Sequence, residues 1–148
     1  MIQEARIYDT RKLSVERQRE QYGLRVLTTR KWLQGISKRD VDIWLPDAGP
    51  SLQLLKAWRD SDIYMTWARF AGYYEEEQRA CKECRPVHYV DGAKVSPVGH
   101  VLYSPVRYLA RLASEQVVTV LCWEDTSKCC HRYSLVKLVQ EQLAVKER

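Results

Sequence analysis

Residues 117–122 read VVTVLC and residues 25–29 read RVLTT. Both runs are β-branched and mostly apolar, without strict alternation, which predicts strands covered on both faces. Stretches with helical spacing flank them. Ser14 is placed to cap a helix running through Gln21, with Gly23 as its stop. Ser104 and Pro105 suit the N-cap and first position of another, which turns Val106, Leu109, Ala110 and Ala113 to one face. A final helix over residues 130–146 buries Leu135, Leu138, Val139 and Leu143. Strands alternating with helices predict one compact α/β domain over residues 1–148, with a small, mostly parallel sheet covered by helices.

The remaining segments fit around this frame. Residues 2–8 read as a short strand, residues 32–37 as a loop and residues 38–44 as a short helix. Ser51 can cap a helix over residues 52–59 that turns Leu54, Leu55 and Trp58 inward. A longer helix is expected over residues 63–79. There Ile63, Trp67, Phe70 and Tyr74 follow steps of four, three and four, an aromatic stripe that reads as core. Asp91-Gly92 between two β-like runs predicts a hairpin with a type I′ turn. It lies within residues 81–103, which read as a hairpin-containing insertion.

Composition narrows the function classes. Of the 148 residues, 45% are hydrophobic and 29% charged, which excludes a disordered chain. The longest apolar runs are too short to cross a bilayer. Residues 1–19 carry charge throughout and hold no apolar signal core, so a cytoplasmic chain is expected. Twenty-four Lys and Arg against nineteen Asp and Glu give a net charge of +5, a mild bias toward anionic partners. The basic residues are spread out: Arg6, Arg11, Lys12, Arg17 and Arg19 alternate with Glu4, Asp9, Glu16 and Glu20. Five cysteines cannot all pair internally, and in a reducing compartment they are free, catalytic or metal-bound.

The strongest chemical signal lies after the VVTVLC strand. Cys122 and Glu124 close that strand, and Cys130, His131 and Arg132 open the last helix. Ligands of parallel α/β sheets gather at strand carboxyl ends, beside helix N-termini that favour anions. Lys128 and Arg132 add positive charge there, suiting phosphate, sulfate or carboxylate. A thiol at a helix N-terminus beside His and Arg is expected to have a lowered pKa. Cys130 fits that description, and Cys122 can serve as nucleophile or resolving thiol. In an enzyme, Glu124 or His131 would move protons, and Glu124 can instead pair with Arg132. The quieter reading has Cys122 packing, Arg132 bridging an acidic neighbour and His131 capping a loop.

Two stretches resemble a known family. Residues 25–58, RVLTTRKWLQGISKRDVDIWLPDAGPSLQLLKAW, are similar to the signature of the YeaO-like proteins, the domain-of-unknown-function 488 family. The matching positions are Arg30, Trp32, Gly35, Ser37, Lys38, Trp44, Leu45, Pro50, Ser51 and Trp58. Residues 121–132, LCWEDTSKCCHR, resemble the family's C-x-E…C-H-R ending at Cys122, Glu124, Cys130, His131 and Arg132. Thr29 stands where the family usually has Asp, Leu33 where it has Pro, and residues 81–103 have no counterpart. The resemblance implies a Rossmann-like α/β fold and no particular reaction. It also implies that Arg30, Trp32 and Lys38 share a crevice with the Cys122–Arg132 turn.

Cys81 and Cys84 form a C-x-x-C with His88 shortly beyond. Two thiolates on a tight turn suit half a zinc tetrahedron, with His88 and Cys129 as further ligands if the clusters meet. A redox dithiol, a disulfide and two unlinked thiols remain open beside zinc. The leading functional expectation is binding of a phosphate-bearing small molecule or nucleic acid at the Cys122–Arg132 junction, with Arg30, Trp32 and Lys38 holding the rest of the ligand. Thiol-dependent transfer or hydrolysis would make the protein an enzyme. The rivals are a basic nucleic-acid-binding module without chemistry and an interaction protein with inert thiols.

Overall fold

In a computed structural model the structure describes residues 1–60, 65–124 and 130–146. Six strands form one sheet in the order β1-β6-β2-β3-β4-β5. They are β1 (Ile2–Arg6), β2 (Leu24–Leu27), β3 (Ile43–Trp44), β4 (Val87–Val90), β5 (Ala93–Lys94) and β6 (Val118–Cys122). The first, sixth, second and third strands run parallel, with Arg6 opposite Cys122 and Leu27 opposite both Leu121 and Trp44. Their carboxyl ends therefore meet on one edge. The β4–β5 hairpin continues the sheet antiparallel, so it lengthens the sheet rather than leaving it. Its turn is the expected one: Asp91 and Gly92 both have positive φ, 51° and 83°.

The two apolar runs alternate by layer. Val26, Val118 and Val120 face α3 (Leu52–Asp60), α4 (Trp67–Ala80), α5 (Pro105–Glu115) and α6 (His131–Lys146), burying Leu54, Tyr74, Leu109 and Leu135 among others. Leu27 and Leu121 face the opposite layer, built by α1 (Ile7–Thr10), α2 (Val15–Tyr22) and the 32–41 loop. A side-chain period of two sends neighbours such as Val26 and Leu27 to different cores. The strands read as apolar runs because both faces are covered. Arg25 is the exception. Its guanidinium, 1% exposed, forks onto the Asp42 carboxylate at 3.0 Å by two bonds and donates to Gln18 and the Arg39 carbonyl.

The caps read from sequence hold. Ser14 accepts from the Arg17 N–H, Ser104 from the Arg107 N–H, and Gly23 stops α2 at φ 64°. Three expectations change. Residues 38–44 are not a helix: a single 3₁₀ turn, Lys38–Asp40, leads into β3. That strand is held by main-chain bonds from Asp42 to Arg25 and from Leu45 to Leu27. The predicted strand over residues 2–8 ends at Arg6, where α1 begins. On α3 only Leu54 is buried, while Leu55 and Trp58 are half exposed. Phe70 and Tyr74 are core as expected, Thr66 caps their helix, and Ile63 lies outside the described residues. Among the described residues no helix is long and apolar enough to cross a membrane.

Candidate functional site

Cys122 is the last residue of β6, Cys130 directly precedes α6 and His131 is its first residue. The strand end and helix start bring these three side chains together beneath the carboxyl edge of the sheet, each buried. His131 Nδ1 lies 4.0 Å from the Cys122 sulfur and 3.8 Å from the Cys130 sulfur. The other ring nitrogen, Nε2, is 2.7 Å from the Thr28 carbonyl. A carbonyl only accepts, so Nε2 carries a hydrogen and Nδ1 is the atom that faces the thiols. Thr28 is itself fixed, because its N–H and its hydroxyl both donate to the Leu121 carbonyl. Tyr74 packs edge-on against the imidazole at 5.4 Å and donates its hydroxyl to the Ala48 carbonyl.

This packing sets the protonation of the cluster. The Cys122 thiol is pushed down by the hydrogen bond it accepts from Cys130, against the opposing effect of burial and with further help from His131. The Cys130 thiol, donor in that bond and buried, is pushed up. Burial pushes His131 down, but the Cys122 thiolate and the Thr28 carbonyl outweigh it, so the net shift is up. The three groups are thus coupled: negative charge is favoured on Cys122, and Cys130 and His131 hold their protons more tightly than they would alone. Thiolate chemistry is one use of such a centre, and metal ligation by the same three atoms is another.

Above the cluster lies a crevice of about 410 Å³, a volume that suits a small organic ligand. His131 and Glu124 contribute to its wall, together with Thr29, Arg30, Lys31 and Trp123. Across from these in the chain, α3 supplies Leu52, Leu55, Lys56 and Arg59. Those four recur at i, i+3, i+4 and i+7, one helix face. The crevice wall mixes apolar side chains with the cations Arg30, Lys31, Lys56 and Arg59, and Glu124 is the single carboxylate among the described residues lining it. Trp123 is 50% exposed and presents ring surface there. The two thiols are about 1% exposed and sit behind His131 rather than on the crevice wall.

A braced loop carries the crevice's other side. Arg30 donates to the carbonyls of Gly49 at 2.7 Å and Pro50 at 3.2 Å, and pairs with Asp47 at 3.3 Å. Gly49 lies so close to that strand end that a Cβ would stand 2.5 Å from the Arg30 nitrogen, which explains the glycine. From below, Glu77 of α4 accepts from both the N–H and the hydroxyl of Ser51, and Ser51 in turn caps α3 through the Leu54 N–H. Gln78 donates to the Asp47 carbonyl.

Several expected site residues have other roles. Arg132 does not face the crevice: its guanidinium is fully buried, bound to the Glu4 carboxylate, the Glu124 carbonyl and the Tyr133 hydroxyl. It ties β1 to the start of α6 and holds Glu124, so it positions the site rather than holding an anion. Trp32 leaves the crevice as well, packing against Trp44 and Tyr89 in the opposite core layer, with Lys38 Nζ 4.8 Å over its ring. Arg30 does line the crevice, with its guanidinium committed to the loop. Cys81, Cys84 and His88 form no common ligand set. Cys81 donates to the Glu83 carbonyl, Cys84 is buried beside the Val101 main chain, and His88 meets the Tyr108 hydroxyl. Lys128 and Cys129 lie outside the described residues.

The cationic residues missed in sequence are Lys31, Lys56 and Arg59. The helical spacing of Lys56 and Arg59 was legible, but only the position of α3 reveals that its exposed face meets the crevice beside the end of β6. Among known families, the model of DUF488-N3a, described as the active DUF488-N3 subclade, matches residues 8–143. No curated protein and no solved structure matches the chain. The chain belongs to the DUF488 family.

Proposed function

We propose that the protein is an enzyme that binds a phosphate-bearing anionic ligand, a nucleotide or nucleic-acid end, in the crevice over His131. Its reactive centre is the Cys122–Cys130–His131 cluster. The observation that carries this reading is that His131 belongs both to the cluster and to the crevice wall. A buried reactive group directly behind a cationic, part-apolar cleft is the arrangement expected of an active site. Lys31 and Lys56 are exposed and make no ion pair among the described residues, so their charge is available to a ligand. Among the described residues, Arg59 makes one ion pair, an exposed contact with Asp60 at 3.7 Å. The exposed indole of Trp123 offers a surface for a base. Glu124, whose carbonyl accepts from Arg132 and which lines the crevice, is the carboxylate that would move a proton on the ligand side.

The test is calorimetric titration with a nucleoside monophosphate, the matching nucleoside and inorganic phosphate. The two phosphate-bearing probes should bind, and more weakly as salt rises. The nucleoside should bind at least tenfold more weakly than its monophosphate. Lys56→Glu with Arg59→Glu should reduce monophosphate affinity tenfold or more, about 1.4 kcal/mol. Equal affinity for nucleoside and monophosphate, or no effect of the double substitution, would overturn the reading.

A further inference from the structure

We infer that Cys122, Cys130 and His131 form a binding site for a zinc-class divalent cation. The inference rests on the proposed function only for the location of the reactive centre, and it stands or falls on its own geometry. In a tetrahedral zinc site, Zn–S bonds of about 2.3 Å and Zn–N bonds of about 2.05 Å place sulfur and nitrogen roughly 3.6 Å apart. The sulfur-to-Nδ1 separations here are 3.8 and 4.0 Å, and all three ligand atoms lie within 4.8 Å of one another. Both sulfurs thus face one ring nitrogen at nearly equal distance. One imidazole nitrogen can take a proton from only one of them, whereas a metal at the centre engages all three atoms.

The supporting structure fits the same role. A metal-ligating histidine commonly donates its other N–H to a carbonyl, which fixes its tautomer and aims its lone pair. The 2.7 Å bond from His131 Nε2 to the Thr28 carbonyl does this, and the two bonds from Thr28 to Leu121 fix that carbonyl in turn. Tyr74 holds the ring edge-on. Cys122 ends the inner strand β6, His131 opens α6 and Cys130 directly precedes it. Two thiolates and one neutral imidazole are soft and borderline donors, the set that selects zinc over magnesium or calcium. Their charge also balances. On binding, the protons still carried by the three ligand atoms pass to solvent, and two thiolates with one neutral imidazole and one divalent cation leave a centre of no net charge. That suits a site whose members are 6% exposed or less.

Because His131 is shared with the crevice wall, a metal here would sit behind that ring, and the imidazole would link its charge to the bound anion. The C-x-x-C of residues 81–84 lacks this arrangement. Its cysteines find no third ligand among the described residues, so it serves as the internal comparison.

The experiment uses reduced, chelator-treated full-length protein, loaded with zinc and separately with cobalt(II), then desalted and assayed by elemental mass spectrometry and absorption. One equivalent of zinc should remain per chain, and cobalt should show thiolate-to-metal charge-transfer absorption. Cys122→Ser and Cys130→Ser should each lower the affinity tenfold or more and weaken that band. Cys81→Ser with Cys84→Ser should leave both unchanged. The wild-type cobalt spectrum needs no substitution, so a poorly folding variant does not remove the test. No retained metal would overturn the inference, as would metal lost from the Cys81/Cys84 variant and kept by the Cys122 and Cys130 variants. Phosphate titration of the same metal-free sample separates the two readings. Phosphate binding without zinc binding refutes the metal site alone, and zinc without phosphate binding refutes the ligand reading alone.

Discussion

Replacing Arg132 with Met separates its structural role from ligand binding. The side chain is fully buried and bonds the Glu4 carboxylate, the Glu124 carbonyl and the Tyr133 hydroxyl. Met keeps most of the volume and removes every donor. Breaking a buried ion pair on one side costs about 3–5 kcal/mol. Glu4 is 27% exposed and can be partly rehydrated, so the lower end applies, about 3 kcal/mol. For a chain of this length that lowers Tm by roughly 6–12 °C. Because the guanidinium is not on the crevice wall, phosphate affinity of the folded variant should stay within about threefold, ~0.6 kcal/mol. Urea denaturation and calorimetric phosphate titration measure the two quantities. A variant as stable as the parent to within about 0.5 kcal/mol, yet tenfold weaker for phosphate, would refute this assignment and restore Arg132 as an anion ligand.

Other consequences follow from the same contacts. Burial, with Asp47 and Cys81 adding to it, pushes the Cys84 thiol from 9.0 up to about 12, and burial with Cys84 does the same to the Tyr108 hydroxyl from 10.0. Both groups stay neutral in the fold after they ionise in the unfolded chain. Their contribution is therefore complete below about pH 9 and lost as pH rises toward about 12. Urea midpoints should fall across that range, with a shallower fall in Cys84→Ala, and a flat profile would contradict the burial. Gly49→Ala sets a Cβ against the Arg30 backbone at 2.5 Å, so both thermal stability and phosphate affinity should drop although the Gly49 φ of −78° is ordinary. Glu77→Gln keeps one acceptor for Ser51 and loses the charge, and should cost about 1–2 kcal/mol in a denaturation assay.

How much of this was legible depended on how local each cause is. Ser14, Ser104-Pro105 and Asp91-Gly92 act within a few residues of themselves, and each formed the cap or turn expected of it. The runs around Val26 and Val120 announced covered strands because both their faces are apolar. The two-residue strand Ile43–Trp44 carries no pattern of its own, and main-chain bonds to β2 create it. The cysteines and histidine at the β6–α6 junction could be found because a strand end and a helix start lie near each other in sequence. For Arg132 the sequence left an anion ligand and an acidic bridge both open, because the carboxylate it meets, Glu4, is 128 residues away. Trp32 was misread because it follows Arg30 by two residues yet turns into the opposite core, against Trp44 and Tyr89. The cationic face of α3 gave no local sign of which surface it would meet.

The most direct test of the account is a protection experiment on metal-free, reduced protein. The alkylation rates of Cys122, Cys130 and Cys81 are measured by peptide mass spectrometry with and without a nucleoside monophosphate. If crevice and cluster are one site, bound ligand changes the rates at Cys122 and Cys130 severalfold and leaves the rate at Cys81 unchanged. Equal rates with and without ligand at all three cysteines would contradict the claim that the crevice serves this cluster.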